Sequence, residues 1–206
     1  MASFIRKIPF LFLWLSTGLA HAAGNLLVFG DSLSAGYGIP AEKSWPALLD
    51  ARLQQEKLPL RVVNASISGE TTAGGKSRLP AALERHRPAV VILALGANDG
   101  LRGLSLAQTR ENLVAMTRAA RQAGARVLLV GMRLPPNYGP DYTREFNALF
   151  VTVARQENAA LLPFLLEPIA LDDAAFQADR LHPTAAAQPK ILDHVWAALL
   201  PLVKRP

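Results

Sequence analysis

The chain has 206 residues, half of them hydrophobic, and it contains 14 Gly, 15 Pro and no Cys. This size and composition suit one globular domain with a full core, and the absence of cysteine excludes disulfides, thiolate nucleophiles and thiolate metal sites. The formal charge is +6, but the arginines are scattered rather than clustered among aromatic residues. A nucleic-acid groove is therefore not indicated, and we expect a mildly basic, solvated surface.

The first 23 residues have the pattern of a secretory signal peptide. Arg6 and Lys7 form a positive n-region, a short apolar run follows, and residues 20–22 offer a small-x-small cleavage site. A membrane anchor is the alternative, but the run is shorter than the ~20 apolar residues of a spanning helix. No cysteine is present to carry a lipoprotein anchor. We therefore expect cleavage of residues 1–23, a mature domain over residues 24–206 without a stable membrane anchor, and a periplasmic or secreted location.

Along the mature chain, short apolar runs alternate with stretches that have helical periodicity. The runs predict buried strands, and apolar residues at three- and four-residue spacing predict amphipathic helices. Ser44 is the expected N-cap of the first long helix, and Gly124 is the expected stop of the third. Strands are predicted at residues 25–29, 60–64, 89–95, 126–131 and 161–164, and helices at about 44–57, 76–86, 105–123, 141–157 and 184–200.

This alternation predicts an α/β fold. Strands joined by helices of ten or more residues form right-handed βαβ units, which build a parallel sheet covered on both faces. The run at residues 89–95 is the most apolar and is the expected central strand. In such sheets ligands bind at the carboxyl ends of the strands, beside the point where the winding reverses. The loops that follow the strands are therefore the place to search for chemistry.

The first of these loops, GDSLSAGYG at residues 30–38, contains a candidate nucleophile. Ser32 stands just beyond the predicted strand, where a tight turn entered through Gly30 can expose its hydroxyl. The backbone N–H of Ser32 can then point toward the same space. Ordinary turns and helix caps also use Asp and Ser, so this loop alone leaves both interpretations open.

A candidate base lies near the other end of the chain. Three histidines follow residue 23, and His86 and His194 fall in predicted helices, where a surface or core position explains them. His182 lies in a loop, three residues after Asp179. A serine hydroxyl needs a base to take its proton, and a carboxylate on the other imidazole nitrogen fixes the tautomer. A surface loop with helix-capping residues is the alternative.

Two further strand ends offer hydrogen-bond donors for a developing oxyanion. Gly69 follows the second strand and lets a substrate oxygen approach a backbone N–H closely. Asn98 follows the third strand and carries an amide donor, although Asn-Asp-Gly is also a common tight turn. Because these loops converge on one sheet edge with the Asp and His of the C-terminal loop, they predict a site for nucleophilic catalysis.

The same segments resemble the four blocks of the GDSL, or SGNH, hydrolase family, and the resemblance extends over essentially the whole mature chain. The blocks are GDSL at residues 30–33, Gly69, GAND at residues 96–99, and the DxxHP motif at residues 179–183. The stretches GDSLSAGYGI, WPALL, GLRG and RLPPNYG are similar to the bacterial branch of acyl-CoA thioesterases, lysophospholipases and arylesterases. The resemblance implies a flavodoxin-like three-layer α/β/α sandwich with a five-stranded parallel sheet.

The resemblance also implies a role for each block. Ser32 would be the nucleophile, His182 the base and Asp179 the residue that orients it. The backbone N–H groups of Ser32 and Gly69, with the side chain of Asn98, would form the oxyanion hole. The implied reaction is a two-step acyl transfer on small-molecule acyl esters or thioesters, with no metal or organic cofactor.

A loop after the fourth strand corresponds, by this resemblance, to a mobile loop that contacts substrate. Its residues Leu134, Pro135, Pro136 and Tyr138 are predicted to wall an acyl groove, and a rigid connector is the alternative. The segment between the last strand and Asp179, which includes Phe176, receives no role from the sequence.

Two other functions compete with a broad esterase, thioesterase or lysophospholipase. The same triad would serve an acetylesterase of cell-envelope carbohydrates, which a preference for acetate esters would reveal. A non-catalytic periplasmic binding domain is disfavoured because all five site positions are intact. A dinucleotide-binding protein is disfavoured because the glycine-rich first loop lacks the G-x-G-x-x-G spacing.

Overall fold

A parallel sheet with helices on both faces is built by residues 24–204, which are the residues that the computed structural model describes. The predicted signal peptide lies outside the described residues. The strands are β1 Gly24–Gly30, β2 Leu60–Asn64, β3 Pro88–Ala94, β4 Arg126–Val130 and β5 Ala160–Leu162. The helices are α1 Ser32–Ala35, α2 Trp45–Gln55, α3 Thr72–His86, α4 Ala97–Leu101, α5 Leu106–Gln122, α6 Pro140–Gln156 and α7 Gln188–Val203.

Both faces of the sheet are buried. Leu26 and Val28 of β1 belong to the core on the side of α2 and α7, whereas Leu27 and Phe29 belong to the core on the side of α3, α5 and α6. A strand covered on both faces has no solvent side, which explains its continuous apolar sequence. None of the helices within residues 24–204 is long and apolar enough to cross a membrane.

The strand order is β2-β1-β3-β4-β5, and every neighbouring pair is parallel. This is the flavodoxin-like order, so the predicted fold class is confirmed. The chain leaves β1 toward β2 on one side and then returns to β3 on the other side. The winding therefore reverses between β1 and β3, and the crevice of the fold opens at their carboxyl ends.

Helix α3 begins earlier than predicted, at Thr72 rather than near residue 76. The Thr71 side chain accepts a hydrogen bond from Gly74 N–H and caps the helix. Glycine is a poor helix former, so the pair Gly74-Gly75 indicated a loop. A Cβ at residue 75 would lie 2.3 Å from Cδ1 of Leu95, so glycine there allows α3 to pack against the end of the central strand.

Other features of the helices and strands also differ from the prediction. Helix α7 starts at Gln188 because residues 185–187 form a separate 3-10 turn, and it continues through Pro201 to Val203. Ser44 occupies the N-cap position of α2 but does not cap it with its side chain, since Ser44 Oγ donates to the carbonyl of Ala41 at 2.6 Å. Strand β5 is shorter than predicted.

Candidate active site

Ser32 is the first residue of α1, directly beyond the carboxyl end of β1. A Cβ at Gly30 would lie 3.0 Å from the carbonyl oxygen of Ala94 and 2.8 Å from Oγ of Ser34, so glycine lets this turn pass close to β3. The Asp31 carboxylate accepts a hydrogen bond from Leu33 N–H at 3.0 Å and caps α1. The N–H of Ser32 is thus among the first donors of a helix, which lack intrahelical acceptors.

Ser32 lies within hydrogen-bond distance of the predicted base, His182, which is 150 residues away in sequence. Oγ of Ser32 lies 2.8 Å from Nε2 of His182, and Nδ1 of His182 lies 2.7 Å from Oδ2 of Asp179. An ionised carboxylate only accepts hydrogen bonds, so Asp179 holds the proton of the neutral imidazole on Nδ1. The lone pair of Nε2 is then free to take the serine proton.

The turn before His182 keeps Asp179 ionised. Its Oδ1 accepts the backbone N–H groups of Leu181 at 2.9 Å and His182 at 3.0 Å. Together with the imidazole, these donors lower the pKa of Asp179 from 3.8 to about 2. Arg180 adopts a left-handed backbone conformation (φ 57°) inside this turn. The carboxylate is therefore charged at any pH at which the imidazole acts as a base.

Asn98 and Gly69 line the same cavity as Ser32. Nδ2 of Asn98 donates to the carbonyl of Glu70 at 3.0 Å and lies 3.4 Å from Oδ2 of Asp31. Gly69 has a φ of +78°, a left-handed conformation that favours glycine. The structure thus brings the amide of Asn98 between the loop of Ser32 and the loop of Gly69.

A buried carboxylate next to Asn98 joins these loops. Asp99 accepts hydrogen bonds from the backbone N–H of Thr72 at 2.9 Å, the hydroxyl of Thr72 at 2.5 Å and the hydroxyl of Thr109 at 3.3 Å. Asn112 donates to the same Thr72 hydroxyl. This network ties α4, which carries Asn98, to the N-terminus of α3 behind Gly69.

Asp31 is a second buried carboxyl group, and it has fewer partners. It receives the Leu33 N–H and the long contact from Asn98, and it has an exposed fraction of 2%. Burial raises its pKa from 3.8 to about 6, although the Leu33 N–H and the nearby His182 lower it in part. The folded protein therefore favours the neutral form of the Asp31 carboxyl group.

A cavity of about 530 Å³ opens at Ser32 and His182. Of the predicted loop residues, Leu134 and Pro135 line this cavity. Tyr138 is not among the lining residues, and its hydroxyl donates to the carbonyl of Leu101 at 3.0 Å. Pro136 begins a 3-10 turn, and its side chain lies outside what the structure describes.

Another part of the cavity wall comes from the segment between the predicted last strand and Asp179, which received no role from the sequence. Leu166 and Phe176 of this segment line the cavity, as does Phe164 at the end of the predicted strand, and the ring of Tyr37 lies beside the imidazole of His182 with centroids 4.5 Å apart and an interplanar angle of 40°. The cluster of apolar residues just after β5 was the available signal for this wall. Within residues 24–204, no group of three or more His, Asp or Glu side chains is placed to hold a metal ion.

Comparison with known proteins gives consistent results. The model of the GDSL-like lipase/acylhydrolase family matches residues 28–188. Esterase TesA of Pseudomonas aeruginosa is 52% identical over 182 residues, which cover 88% of this chain and 90% of TesA. Thioesterase 1/protease 1/lysophospholipase L1 of Escherichia coli is 45% identical over 196 residues, which cover 95% and 93%.

A solved structure agrees with these sequence matches. The psychrotrophic esterase EstA from Pseudoalteromonas, in a structure inhibited by monoethylphosphonate, has a TM-score of 0.84 and 38% identity. The match covers 88% of this chain and all of the EstA chain.

The fold and the site together define an α/β hydrolytic enzyme with a serine, an imidazole and a carboxylate in line. The chain belongs to the GDSL-like lipase/acylhydrolase family. The predicted enzyme class, carboxylic ester hydrolase, is thereby confirmed.

Proposed function

We propose that Ser32, His182 and Asp179 are the catalytic triad with which this chain hydrolyses acyl esters and thioesters. The observation that carries the proposal is the 2.8 Å contact between Ser32 Oγ and His182 Nε2 at the opening of the cavity. The 2.7 Å contact between His182 and Asp179 supports the same assignment, since it leaves Nε2 unprotonated and facing the hydroxyl.

In the proposed mechanism, Oγ of Ser32 attacks the carbonyl carbon of the ester while Nε2 of His182 takes the hydroxyl proton. The carbonyl electron pair moves to oxygen, where the N–H groups of Ser32 and Gly69 stabilise the charge. The Asn98 amide contributes the N–H that otherwise makes only the long 3.4 Å contact with Asp31, while its other N–H stays on the carbonyl of Glu70. The product of this attack is a tetrahedral intermediate. When it collapses, the bond between the carbonyl carbon and the leaving oxygen or sulfur breaks, and the leaving atom receives the proton from His182. Water then attacks the acyl-enzyme by the same route and restores Ser32.

The cavity supports an acyl chain as the group that is bound. Its lining is mainly apolar and includes Leu134, Phe164 and Leu166. Such walls favour hydrocarbon because they remove it from water. The names of the relatives, an esterase and a thioesterase/lysophospholipase, favour the same class of acyl ester and thioester substrates.

The decisive experiment is the Ser32→Ala variant. Hydrolysis of p-nitrophenyl butyrate should lose a factor of roughly 10⁵ to 10⁶ in kcat, the scale seen when a serine nucleophile is removed. Ser77→Ala is a matched control, because Ser77 is exposed on α3 and should leave the rate unchanged. Wild-type activity in Ser32→Ala would end the nucleophile assignment.

We also propose that residues 1–23 direct export and are removed, so that the mature enzyme acts in the periplasm or outside the cell. The sequence pattern of the segment supports this location. Because acyl-CoA is a cytosolic metabolite, hydrolysis of thioesters would then be incidental to the physiological role. Amino-terminal sequencing of the protein from the periplasmic fraction tests cleavage, and an intact Met1 there would contradict it.

A further inference from the structure

Gln177 lies within the loop that carries the proposed base and bonds it at two backbone positions. Its N–H donates to the carbonyl of His182 at 2.8 Å, and its carbonyl accepts the N–H of Arg180 at 2.9 Å. The loop between Phe176 and Pro183 is thereby closed on itself, and an isolated antiparallel bridge pairs these two residues. The backbone of Gln177 thus shapes the turn from which the imidazole projects.

The side chain of Gln177 reaches a different loop. Its Nε2 donates to the carbonyl of Pro183 at 3.0 Å and to the carbonyl of Tyr37 at 2.8 Å. Both N–H groups of the amide are therefore used, one on each loop. Tyr37 lies 140 residues away in sequence and only five residues after Ser32. One side chain consequently joins the loop of the nucleophile to the loop of the base.

Tyr37 in turn contacts the imidazole. Its ring centroid lies 4.5 Å from that of His182 at an interplanar angle of 40°. Because Gln177 bonds the carbonyl of Tyr37, it also holds the residue whose ring contacts His182. Gly38 allows this approach, since a Cβ at residue 38 would lie 2.2 Å from Oε1 of Gln177.

We propose that Gln177 is a positioning residue that sets the place and orientation of His182 relative to Ser32. This inference rests on the proposed triad. It goes beyond the triad by naming the contact that fixes the position of the His182 loop relative to the Ser32 loop. Misplacement by about 1 Å costs reactions of this kind about 10²-fold in rate. The contact should therefore affect kcat far more than substrate binding.

The leaving group distinguishes positioning from general stability. His182 must deliver a proton to a departing alkoxide, whereas p-nitrophenolate is a stable anion that leaves without one. A displaced imidazole therefore slows alkyl esters more than p-nitrophenyl esters of the same acid. An unfolded fraction slows both equally, so the ratio of the two rates does not depend on how much of a variant is folded.

The experiment compares ethyl octanoate with p-nitrophenyl octanoate for Gln177→Met, which keeps the length of the side chain and removes its hydrogen bonds. Both esters form the same octanoyl-enzyme, so the comparison uses kcat/KM, which reports the step in which the leaving group departs. We expect kcat/KM for the ethyl ester to fall 10- to 100-fold, kcat/KM for the p-nitrophenyl ester to fall at least threefold less, and both KM values to stay within threefold. Gln54→Met is the control, because Gln54 is an exposed residue of α2 whose side chain, among the described residues, bonds only to Asp50 of its own helix.

Gly38→Ala perturbs the same contact from the other side. Its methyl group displaces Oε1 of Gln177, so the same change in rate ratio is expected. In a Gln177→Ala background, which already lacks the contact, Gly38→Ala should change the ratio no further. Gly124→Ala controls for backbone strain, since Gly124 also has a positive φ but has no atom within 4 Å of an added Cβ. An unchanged rate ratio in both Gln177→Met and Gly38→Ala would overturn the inference. If Ser32→Ala remained active on these esters, the proposed triad itself would fail instead.

Discussion

Replacing Asp31 by asparagine is expected to stabilise the protein at neutral pH. The carboxyl group has an exposed fraction of 2% and receives hydrogen bonds of 3.0 Å from Leu33 and 3.4 Å from Asn98. Burial outweighs these contacts and raises its pKa from 3.8 to about 6. Asparagine has a similar shape, retains an oxygen that accepts the Leu33 N–H, and carries no charge. Its amide nitrogen replaces the oxygen that faces Asn98, so only the long 3.4 Å contact is lost.

The expected magnitude follows from the pKa shift. Below pH 3.8 Asp31 is protonated in both the folded and the unfolded protein, so it causes no penalty. Between pH 3.8 and 6 the unfolded chain releases the proton while the folded protein retains it, and stability falls as pH rises. Above pH 6 Asp31 is ionised in both the folded and the unfolded protein, so the free energy of unfolding falls no further. The shift from 3.8 to about 6, at about 1.4 kcal/mol per pKa unit, corresponds to about 3 kcal/mol.

Urea unfolding of the wild type and of Asp31→Asn at intervals from pH 4 to pH 8 measures this difference. Asp31→Asn should gain little at pH 4 and about 3 kcal/mol at pH 8, which is a rise in Tm of about 6–12 °C for a domain of this size. Asp99→Asn is the control: its carboxylate accepts three hydrogen bonds from Thr72 and Thr109, so the substitution should cost about 1–3 kcal/mol. A difference between Asp31→Asn and the wild type that stayed constant with pH would refute the reasoning.

Three further predictions concern the oxyanion hole, the core and the cavity. Asn98→Ala should lose roughly 10² to 10³ in kcat for p-nitrophenyl esters, as expected for one oxyanion donor, and a wild-type rate would exclude its amide from the oxyanion hole. Gly75→Ala should cost about 1–3 kcal/mol in urea unfolding, because its Cβ would meet Leu95 at 2.3 Å; unchanged stability would show that α3 can shift. Because the cavity beside Leu134 is apolar, kcat/KM should rise with acyl length beyond butyrate, whereas a preference for acetate would favour a carbohydrate acetylesterase.

The features that the sequence predicted well are those that local chemistry determines. Strands buried on both faces must be apolar throughout, so the five runs were visible without a structure. Few kinds of side chain can act as a nucleophile or a base, so Ser32 and His182 stood out in the loops that contain them. Thr72–Gly75 was missed because the close packing that requires Gly75 comes from Leu95, just after β3, and from Met116 of α5, which are distant in sequence.

The role of the segment between β5 and α7 was not visible because its function depends on the path it takes. Strand β5 lies at one edge of the sheet, whereas α7 packs beside α2 on one face of the sheet.

The segment between β5 and α7 must therefore cross the carboxyl ends of the strands, and its hydrogen bonds show the path that it takes. Leu165 bonds to Gly131 after β4, Gln177 then bonds to Tyr37 after β1, and Gln188 finally accepts the N–H of Trp45 at the start of α2. A chain that follows this route passes over the crevice between β1 and β3. The same topological requirement thus accounts for the presence of Leu166 and Phe176 in the cavity lining, for the position of His182 beside Ser32, and for the contact between Gln177 and the loop of the nucleophile.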